Sequence, residues 1–320
     1  MKRFVIKCLI CAGIILVVSA LFLRVLVSFP NDAFRQSHEI NVIRQIERMQ
    51  TIEEPKIVFI GGSGCGFGLC SSMISDHFNM PVCNTGTMAR IGLLTQLQLC
   101  QDFIHQNDIV VVIPEYSNFF GNTYLGTDAT LRVLSTFYPK GYEYFTFRQQ
   151  LHLLPYVPKA FDDVFIHALV RLKLANSSNS KKEATPYSAS SLNVYGDVEM
   201  YEKRQHIDTQ TEPKVWKDTI VNKKAVCVLQ EYSQYCQSKK AIMLLFPPAF
   251  RASDYDVNKE AIDAIWLALE EAQLPVASCP ERYRMADTLH YDSEYHLTYE
   301  GVIIRTNKII ADIDSSLNNK

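Results

Sequence analysis

The sequence predicts an α/β protein in which helices cover both faces of a mainly parallel sheet, preceded by one N-terminal transmembrane helix. Short β-branched runs alternate with amphipathic stretches of roughly twelve to fifteen residues, a pattern typical of parallel sheets. The first 29 residues contain an uncharged apolar run between basic residues. The 320 residues are 48% hydrophobic, which is enough apolar material for a core and excludes a disordered chain.

Residues 1–29 predict a signal anchor. The uncharged run 8–23 lies between Lys7 and Arg24, and as a helix it covers roughly 24 Å, slightly less than the ~30 Å hydrocarbon core of a bilayer. The basic amino-terminal flank predicts a cytoplasmic N-terminus and a single pass of the cell membrane, with residues 30–320 extracytoplasmic. The alternative is a secretory signal cleaved after Ala20. The apolar stretch continues past Ala20, which favours the anchor, and either alternative exports the remaining chain.

Composition excludes other classes of protein. The chain has 32 Lys and Arg against 34 Asp and Glu, so there is no basic excess to bind nucleic acid. Outside the apolar run, the cysteines form no CxxC pair with zinc spacing, and we expect most of them to be small buried side chains. Pairing of Cys227 with Cys236 stays open.

The predicted domain extends from residue 55 to residue 320. Residues 30–54 precede it as a juxtamembrane helix. Strands are predicted at 56–60, 81–83, 108–113 and 240–246, and helices at 71–78, 91–105, 225–238, 258–272 and 299–317. In such a sheet the ligand crevice lies beyond the carboxyl ends of the strands.

The alternation weakens at about 116–222, which we interpret as an insertion on the crevice side of the sheet. It contains one helical stretch near 161–174 and a polar loop at 176–185. Its aromatic side chains either stack on sugars or pack in the core. They are Tyr116, Phe119, Phe120, Tyr124, Tyr142 and Tyr144.

A glycine-rich segment, 61–68, follows the first strand and contains Ser63. Glycines on both sides of a serine permit a sharp turn and a close approach to a ligand. The segment lacks the Lys-Ser/Thr of a phosphate-binding loop, the glycine spacing of a dinucleotide fingerprint and the glycine two residues after the serine of an α/β-hydrolase elbow. It predicts an exposed serine nucleophile or, as the alternative, a plain glycine-rich turn.

A second segment, 289–297, precedes the last helix and contains Asp292 and His296. A carboxylate at this spacing can reach the imidazole, fix its tautomer and stabilise its charged form. His296 would then act as the general base for a serine from another strand end. Two alternatives stay open: a metal site formed with His290 and Glu294, and a polar turn that caps the last helix.

A third candidate, Gly86, follows the second strand. Its N–H would point into the same crevice and donate to an oxyanion, unless it is an ordinary turn glycine. The order along the chain is therefore serine, glycine turn, aspartate and histidine, each at a strand end or just before a helix.

With these residues in this order, the chain resembles the SGNH/GDSL hydrolase superfamily. It is most similar to the membrane-anchored branch that acts in acyl transfer on bacterial cell-surface polymers, such as the alginate O-acetylation proteins and the D-alanyl transfer protein of teichoic acid synthesis. The resembling segments are 57–68, 82–86, 109–116 and 291–306.

The resemblance implies an SGNH/flavodoxin-like three-layer sandwich in which Ser63 is the nucleophile, His296 the base and Asp292 its orienting carboxylate. It implies that the backbone N–H groups of Ser63 and Gly86 form the oxyanion hole. The Asp-to-His spacing is one residue longer than the Asp-x-x-His that is usual in the family.

The third block of the family usually supplies an Asn side chain to the oxyanion hole, and here that strand ends in 114–118. Asn118 is the nearest amide and the candidate for that role, although its offset from the strand end is a poor match. Glu115 and Tyr116 are candidates for substrate binding, but a charged Glu115 would oppose a developing oxyanion.

The expected function is acyl-ester hydrolysis or O-acyl transfer on a cell-envelope glycan or another acylated carbohydrate, without a metal or other cofactor. The chain would be held by its N-terminal helix beside a multispan membrane partner that supplies the acyl donor. The alternative is a catalytically inactive SGNH-like protein that binds glycan or acts as a scaffold in an envelope polysaccharide export or modification complex.

Overall fold

The computed structural model describes residues 32–160, 183–207 and 212–318, together with Asp162 and scattered positions among the first fourteen. Most of the predicted transmembrane span, the alternative cleavage site, the helix predicted at 161–174 except Asp162, and most of the polar loop lie outside these residues. Within the described part of the chain, no helix combines the length and the apolar character needed to cross a bilayer.

Helices and strands alternate along the chain. The helices are α1 (Asp32–Arg35), α2 (Asn41–Thr51), α3 (Ser63–Gly66), α4 (Ser71–Phe78), α5 (Leu93–Gln101), α6 (Asp128–Phe137), α7 (Phe147–Leu153), α8 (Lys223–Ser238), α9 (Ala252–Val257), α10 (Lys259–Glu271) and α11 (Tyr299–Asn318). The strands are β1 (Ile57–Gly61), β2 (Val82–Asn84), β3 (Ile109–Ile113), β4 (Ile242–Leu245), β5 (Phe250–Arg251) and β6 (Arg284–Met285).

The main sheet has four parallel strands in the order β2-β1-β3-β4, which confirms the predicted α/β class and the mainly parallel sheet. Ile57 at the start of β1 lies between Val82 of β2 and Ile109 of β3. From β1 the chain passes to β2 on one side and then to β3 on the other, so the strand order reverses beside β1. A ligand crevice is expected at this reversal, beyond the carboxyl ends of β1 and β3.

Alternate residues of each strand face two hydrophobic cores on opposite sides of the sheet. In β1, Val58 and Ile60 face one core, and Ile57 and Phe59 face the other, and all are fully buried. Helices α2, α5, α8 and α10 contribute to the first core, and α4 and α11 contribute to the second. Because both faces are covered, the strands are continuous apolar runs rather than alternating ones.

A buried ion pair joins the amino ends of β1 and β3. Lys56 Nζ lies 2.8 Å from Asp108 Oδ2, and both side chains are fully buried. Asp108 also accepts hydrogen bonds from the backbone N–H groups of Lys56 and His105. The pair fixes the relative register of the two strands whose opposite ends form the crevice.

The region 30–54 differs from its prediction as a separate juxtamembrane helix. Its helix, α2, packs Val42, Ile46 and Met49 into the first core, so this segment is part of the domain. Asn41 in the same helix donates to the carbonyl oxygens of Asn84 and Gly86. The spacing of apolar residues indicated a helix, and the contact partners of its apolar face appear only in the folded chain.

Two helical boundaries also differ from the sequence prediction. The helix predicted from residue 91 begins at Leu93, because Gly92 has a φ of +83° that breaks the helical path. Inside the region predicted as an irregular insertion, α6 begins at Asp128 after a capping box between Thr127 and Thr130.

Candidate functional site

Ser63 lies at the carboxyl end of β1, where residues 61–68 form what we call the serine turn. The turn is packed directly on the backbone of its neighbours. A Cβ atom at Gly86 would lie 2.5 Å from the Cβ of Cys65 and 2.6 Å from the backbone nitrogen of Gly66. The glycine after β2 is therefore required by close packing behind Ser63.

Two buried arginines hold the carbonyl oxygens of the serine turn. Arg305 of α11 donates from Nη1 to the Gly64 oxygen at 2.5 Å. Arg204 donates to the carbonyl oxygen of Phe67 and also to that of Leu297, which lies in the segment 289–297. Hydrogen bonds from a charged donor to buried carbonyl groups are among the stronger ones in proteins. They tie the serine turn to the end of the chain.

The histidine turn, residues 291–297, carries the imidazole. Its ends are joined by a backbone hydrogen bond from Tyr291 N to His296 O at 2.8 Å, and Ser293 Oγ accepts from the His296 N–H at 3.2 Å. This closed turn accommodates the extra residue between Asp292 and His296. The four-residue interval therefore leaves the Asp292 and His296 side chains on the same side of the turn.

The structure brings Ser63, His296 and Asp292 together. Ser63 Oγ lies 2.9 Å from His296 Nε2, and His296 Nδ1 lies 2.8 Å from Asp292 Oδ1. Ser63 is half-buried, and the imidazole is only 7% exposed. In this arrangement the hydroxyl can donate to Nε2 while Nδ1–H donates to the carboxylate, which is the geometry of a serine activated by a general base.

Tyr187 and Phe67 complete the surroundings of the imidazole. The Tyr187 hydroxyl donates to Asp292 Oδ2 at 2.7 Å and lies 3.1 Å from His296 Nδ1. The ring of Phe67 stacks on the imidazole with a centroid separation of 4.1 Å and an interplanar angle of 15°. Hydrogen bonds in the plane of the ring and the stacked Phe67 ring on its face therefore fix the position of the imidazole.

Electrostatics favours a charged carboxylate at Asp292. Burial by itself would raise the pKa of Asp292, but hydrogen bonds from His296 and Tyr187 outweigh this and hold the pKa below its usual value. Burial and the hydrogen bond to Asp292 raise the pKa of Tyr187. The carboxylate is thus ionised and the phenol neutral near pH 7, as their hydrogen bond requires.

The alternative metal site does not assemble among the described residues, in which no three His, Cys, Asp or Glu side chains converge as ligands. His290 is 2% exposed, and burial, followed by the nearby Arg251, lowers its pKa to about 3. His290 is therefore a neutral buried side chain beside the histidine turn. The eight described cysteines, Cys227 and Cys236 among them, are free thiols.

Gly86 and Asn118 are the two predicted oxyanion donors other than Ser63, and their contacts differ from those predicted. The Gly86 N–H donates to Asn84 Oδ1 at 3.0 Å within its own turn. Asn118 is 1% exposed; its backbone N–H donates to the carbonyl oxygen of Glu115, and its side-chain Oδ1 is buried without a hydrogen-bond partner among the described residues. The Gly86 N–H is therefore engaged within its own turn, because a turn must satisfy its own buried polar groups.

Glu115 and Tyr116, the predicted substrate-binding residues, separate in the structure. Glu115 reaches the serine turn, where its Oε1 accepts a hydrogen bond from the Gly64 N–H at 3.4 Å. Tyr116 is fully buried in the first core against Phe250, which corrects its assignment to substrate binding.

The aromatic residues of the insertion mostly pack in the core rather than forming a sugar-stacking surface. Phe119, Phe120 and Tyr124 are at most 7% exposed and belong to the first core. Tyr142 and Tyr144 are half-buried. Of the two alternatives, core packing therefore holds for the residues that follow β3.

Sequence reasoning missed Tyr187, Arg204 and Arg305. Arg305 carried a signal, because it follows Val302 by three residues and precedes Ile309 by four, on the apolar face of α11. A charged residue at such a position indicates a buried partner. Tyr187 and Arg204 carried no such signal, since their roles depend on how a distant loop lies over the site.

No family model matches the chain, and no curated protein matches it. The chemistry of the site is therefore inferred from its geometry.

Proposed function

We propose that the protein is a membrane-anchored, extracytoplasmic SGNH-like acyl-ester hydrolase or O-acyltransferase that acts on a cell-envelope glycan. The observation that carries the proposal is the hydrogen-bonded series from Ser63 to His296 to Asp292 at the carboxyl end of the sheet. The anchor and the location are supported by the apolar run and its basic flank.

In the proposed reaction, Ser63 Oγ attacks the acyl carbonyl while its proton passes to His296 Nε2. The Oγ–carbon bond forms and the carbonyl electron pair moves to oxygen. On collapse, the bond from carbon to the leaving alcohol breaks, and His296 returns the proton to that alcohol. Water or a glycan hydroxyl then attacks the acyl-serine by the same steps, with hydrolysis or transfer as the outcome.

Asp292 and Tyr187 serve this reaction by positioning the base. A carboxylate on Nδ1–H selects the tautomer in which Nε2 can accept the Ser63 proton, and it stabilises the imidazolium that follows. The contact of Tyr187 with the second carboxylate oxygen fixes the rotation of Asp292.

A second candidate function is a catalytically inactive SGNH-like glycan-binding or scaffold protein of an envelope polysaccharide export or modification complex. It is favoured by the engagement of the Gly86 N–H with Asn84, which leaves the expected oxyanion hole short of a donor. Loss of one such donor costs about 10²–10³ in rate.

The test uses the full chain in detergent, with Ser63→Ala compared with Ser117→Ala, an exposed serine near the end of β3. We expect Ser63→Ala to lose labelling by a serine-directed fluorophosphonate and to lower hydrolysis of an activated acetyl ester by at least ~10³-fold. Ser117→Ala should keep both. Equal labelling of both variants would refute the serine mechanism, and intact envelope-glycan acylation in cells carrying Ser63→Ala would support the scaffold.

A further inference from the structure

We propose that Glu115, as a neutral carboxylic acid, donates a hydrogen bond to the oxyanion formed at Ser63. The inference rests on the proposed function and gives it a donor in place of the Gly86 N–H, which is engaged with Asn84. Glu115 follows β3, the neighbour of β1, so that its side chain extends across the crevice to the serine turn.

Geometry aims the carboxyl group at the residues on both sides of Ser63. Oε1 lies 3.4 Å from the Gly64 nitrogen. A Cβ atom built on Gly62 would lie 2.2 Å from Oε1. Gly62, which precedes Ser63, and the Gly64 N–H, which follows it, thus form a close-fitting site for the Glu115 carboxyl. Glu115 is 6% exposed.

The protonation state decides whether this contact helps or opposes catalysis. A carboxylate would repel the developing oxyanion, whereas a carboxylic acid donates to it, as in enzymes that keep an acid neutral in an apolar site. The pKa of Glu115 is raised to about 7, mainly by burial and also by the nearby Glu294, although the Gly64 N–H, Arg305 and the Ser63 hydroxyl act in the opposite direction.

Two further titratable side chains that act with Glu115 in this part of the site, Cys65 and Tyr295, are neutral near pH 7. Burial raises the pKa of the Cys65 thiol to about 12 and the pKa of the Tyr295 phenol well above its usual value. Arg305 is the one cation among the groups that act on Glu115, and it is held on the Gly64 oxygen. A bound acyl group would exclude water and favour the neutral acid more strongly.

In the acylation step Glu115 keeps its proton. With Oε1 accepting from Gly64, the acid proton is on the second oxygen and is shared with the carbonyl oxygen as negative charge develops there. The proton of Ser63 goes to His296 throughout, so that Glu115 exchanges no proton with the substrate and the charge of the site balances in each step.

The test is the pH profile of ester hydrolysis by the full chain in detergent. In the wild type, kcat/KM should fall above an apparent pKa near 7 as Glu115 ionises. Glu115→Gln retains a donor that does not ionise. Its rate should be several-fold lower than that of the wild type at pH 6, should not fall on the alkaline side, and should exceed the wild-type rate at pH 9. Glu115→Ala should lose about 10²–10³-fold at pH 6.

Two controls separate the alternatives. Glu294→Gln removes a negative neighbour and should move the alkaline limb to lower pH, whereas the exposed Glu143→Gln should leave the profile as in the wild type. An unchanged alkaline limb in Glu115→Gln, or its complete inactivity at every pH, would overturn the inference. If Ser63→Ala is as active as the wild type, the proposed function fails instead, whatever the behaviour of Glu115.

Discussion

The serine turn and the histidine turn meet at one hydrogen bond, yet they are built differently. The serine turn is packed on backbone atoms of Gly86 and Ala89 after β2 and of Ile113 at the end of β3, and two buried arginines hold its carbonyl oxygens. The histidine turn presents its imidazole on a partly exposed segment, with Asp292 21% exposed at its side chain and Tyr187 38% exposed.

The position of the Ser63 hydroxyl and the orientation of the His296 imidazole are therefore controlled separately in the site. Close packing places the Ser63 hydroxyl, so substitutions in the serine turn should mainly lower the free energy of unfolding. Side-chain hydrogen bonds orient the imidazole, so substitutions of those partners should mainly lower the rate of the proposed reaction.

The largest effect is expected from Gly86→Ala in the packing behind the serine turn. The added methyl group meets Cys65 Cβ at 2.5 Å and backbone nitrogen at 2.6 Å, and neither can move independently of the turn. Overpacking of this kind costs about 3 kcal/mol of the free energy of unfolding. Urea denaturation of the two proteins measures the difference.

Gly64→Ala is the matched control, since its added Cβ has its nearest neighbour at 3.5 Å. We expect its free energy of unfolding to stay within ~1 kcal/mol of the wild type. Equal destabilisation by the two substitutions would show that the serine turn is not held by close packing.

The next effect is an acid sensitivity that comes from His290, beside the histidine turn. Burial lowers its folded-state pKa to about 3, below the unfolded value, so the unfolded chain binds the proton first. Stability is therefore present above pH ~6.5 and is lost as the pH falls towards 3, by on the order of 2 kcal/mol at pH 4.5.

His290→Leu should reduce the difference in unfolding free energy between pH 7 and pH 4.5 by about this amount, measured by denaturant titration at both values. The exposed His77→Leu is the control and should change that difference by less than ~1 kcal/mol. If the difference in unfolding free energy between pH 7 and pH 4.5 is as large in His290→Leu as in the wild type, another group is responsible for the acid sensitivity.

The smallest effect is expected from Tyr187→Phe, which alters a hydrogen bond to the histidine turn. Loss of the hydroxyl that donates to Asp292 loosens the carboxylate and lowers kcat about tenfold, with KM and the free energy of unfolding little changed. Steady-state kinetics with an acetyl ester measures it. A large loss of stability with unchanged kcat would mean that Tyr187 serves packing rather than orientation.

Local patterns predicted much of the framework. Short apolar runs predicted β1, β3 and β4, because buried parallel strands need apolar side chains on both faces. The glycines around Ser63 and the four-residue interval from Asp292 to His296 are also readable along the chain. These features depend only on near neighbours or on the regular ends of parallel strands.

The partners of the site residues are not readable in that way. Ser63 and His296 are 233 positions apart, Arg305 and Gly64 are 241 apart, and Tyr187 comes to Asp292 from a polar segment. The Gly86 N–H bonds to Asn84, and Glu115 reaches across the crevice to the serine turn. Both contacts depend on which buried polar groups lie close enough to compete for the same hydrogen bond.

From its amino acids alone, then, this chain specifies alternating strands and helices, and it specifies which strand end carries the hydroxyl. The folded arrangement decides which N–H groups near Ser63 are already hydrogen-bonded and which carboxyl lies beside Ser63. The physical reason is that periodicity is a local property, whereas the hydrogen-bonding partner and the solvation of a buried polar group are set by atoms from the whole domain.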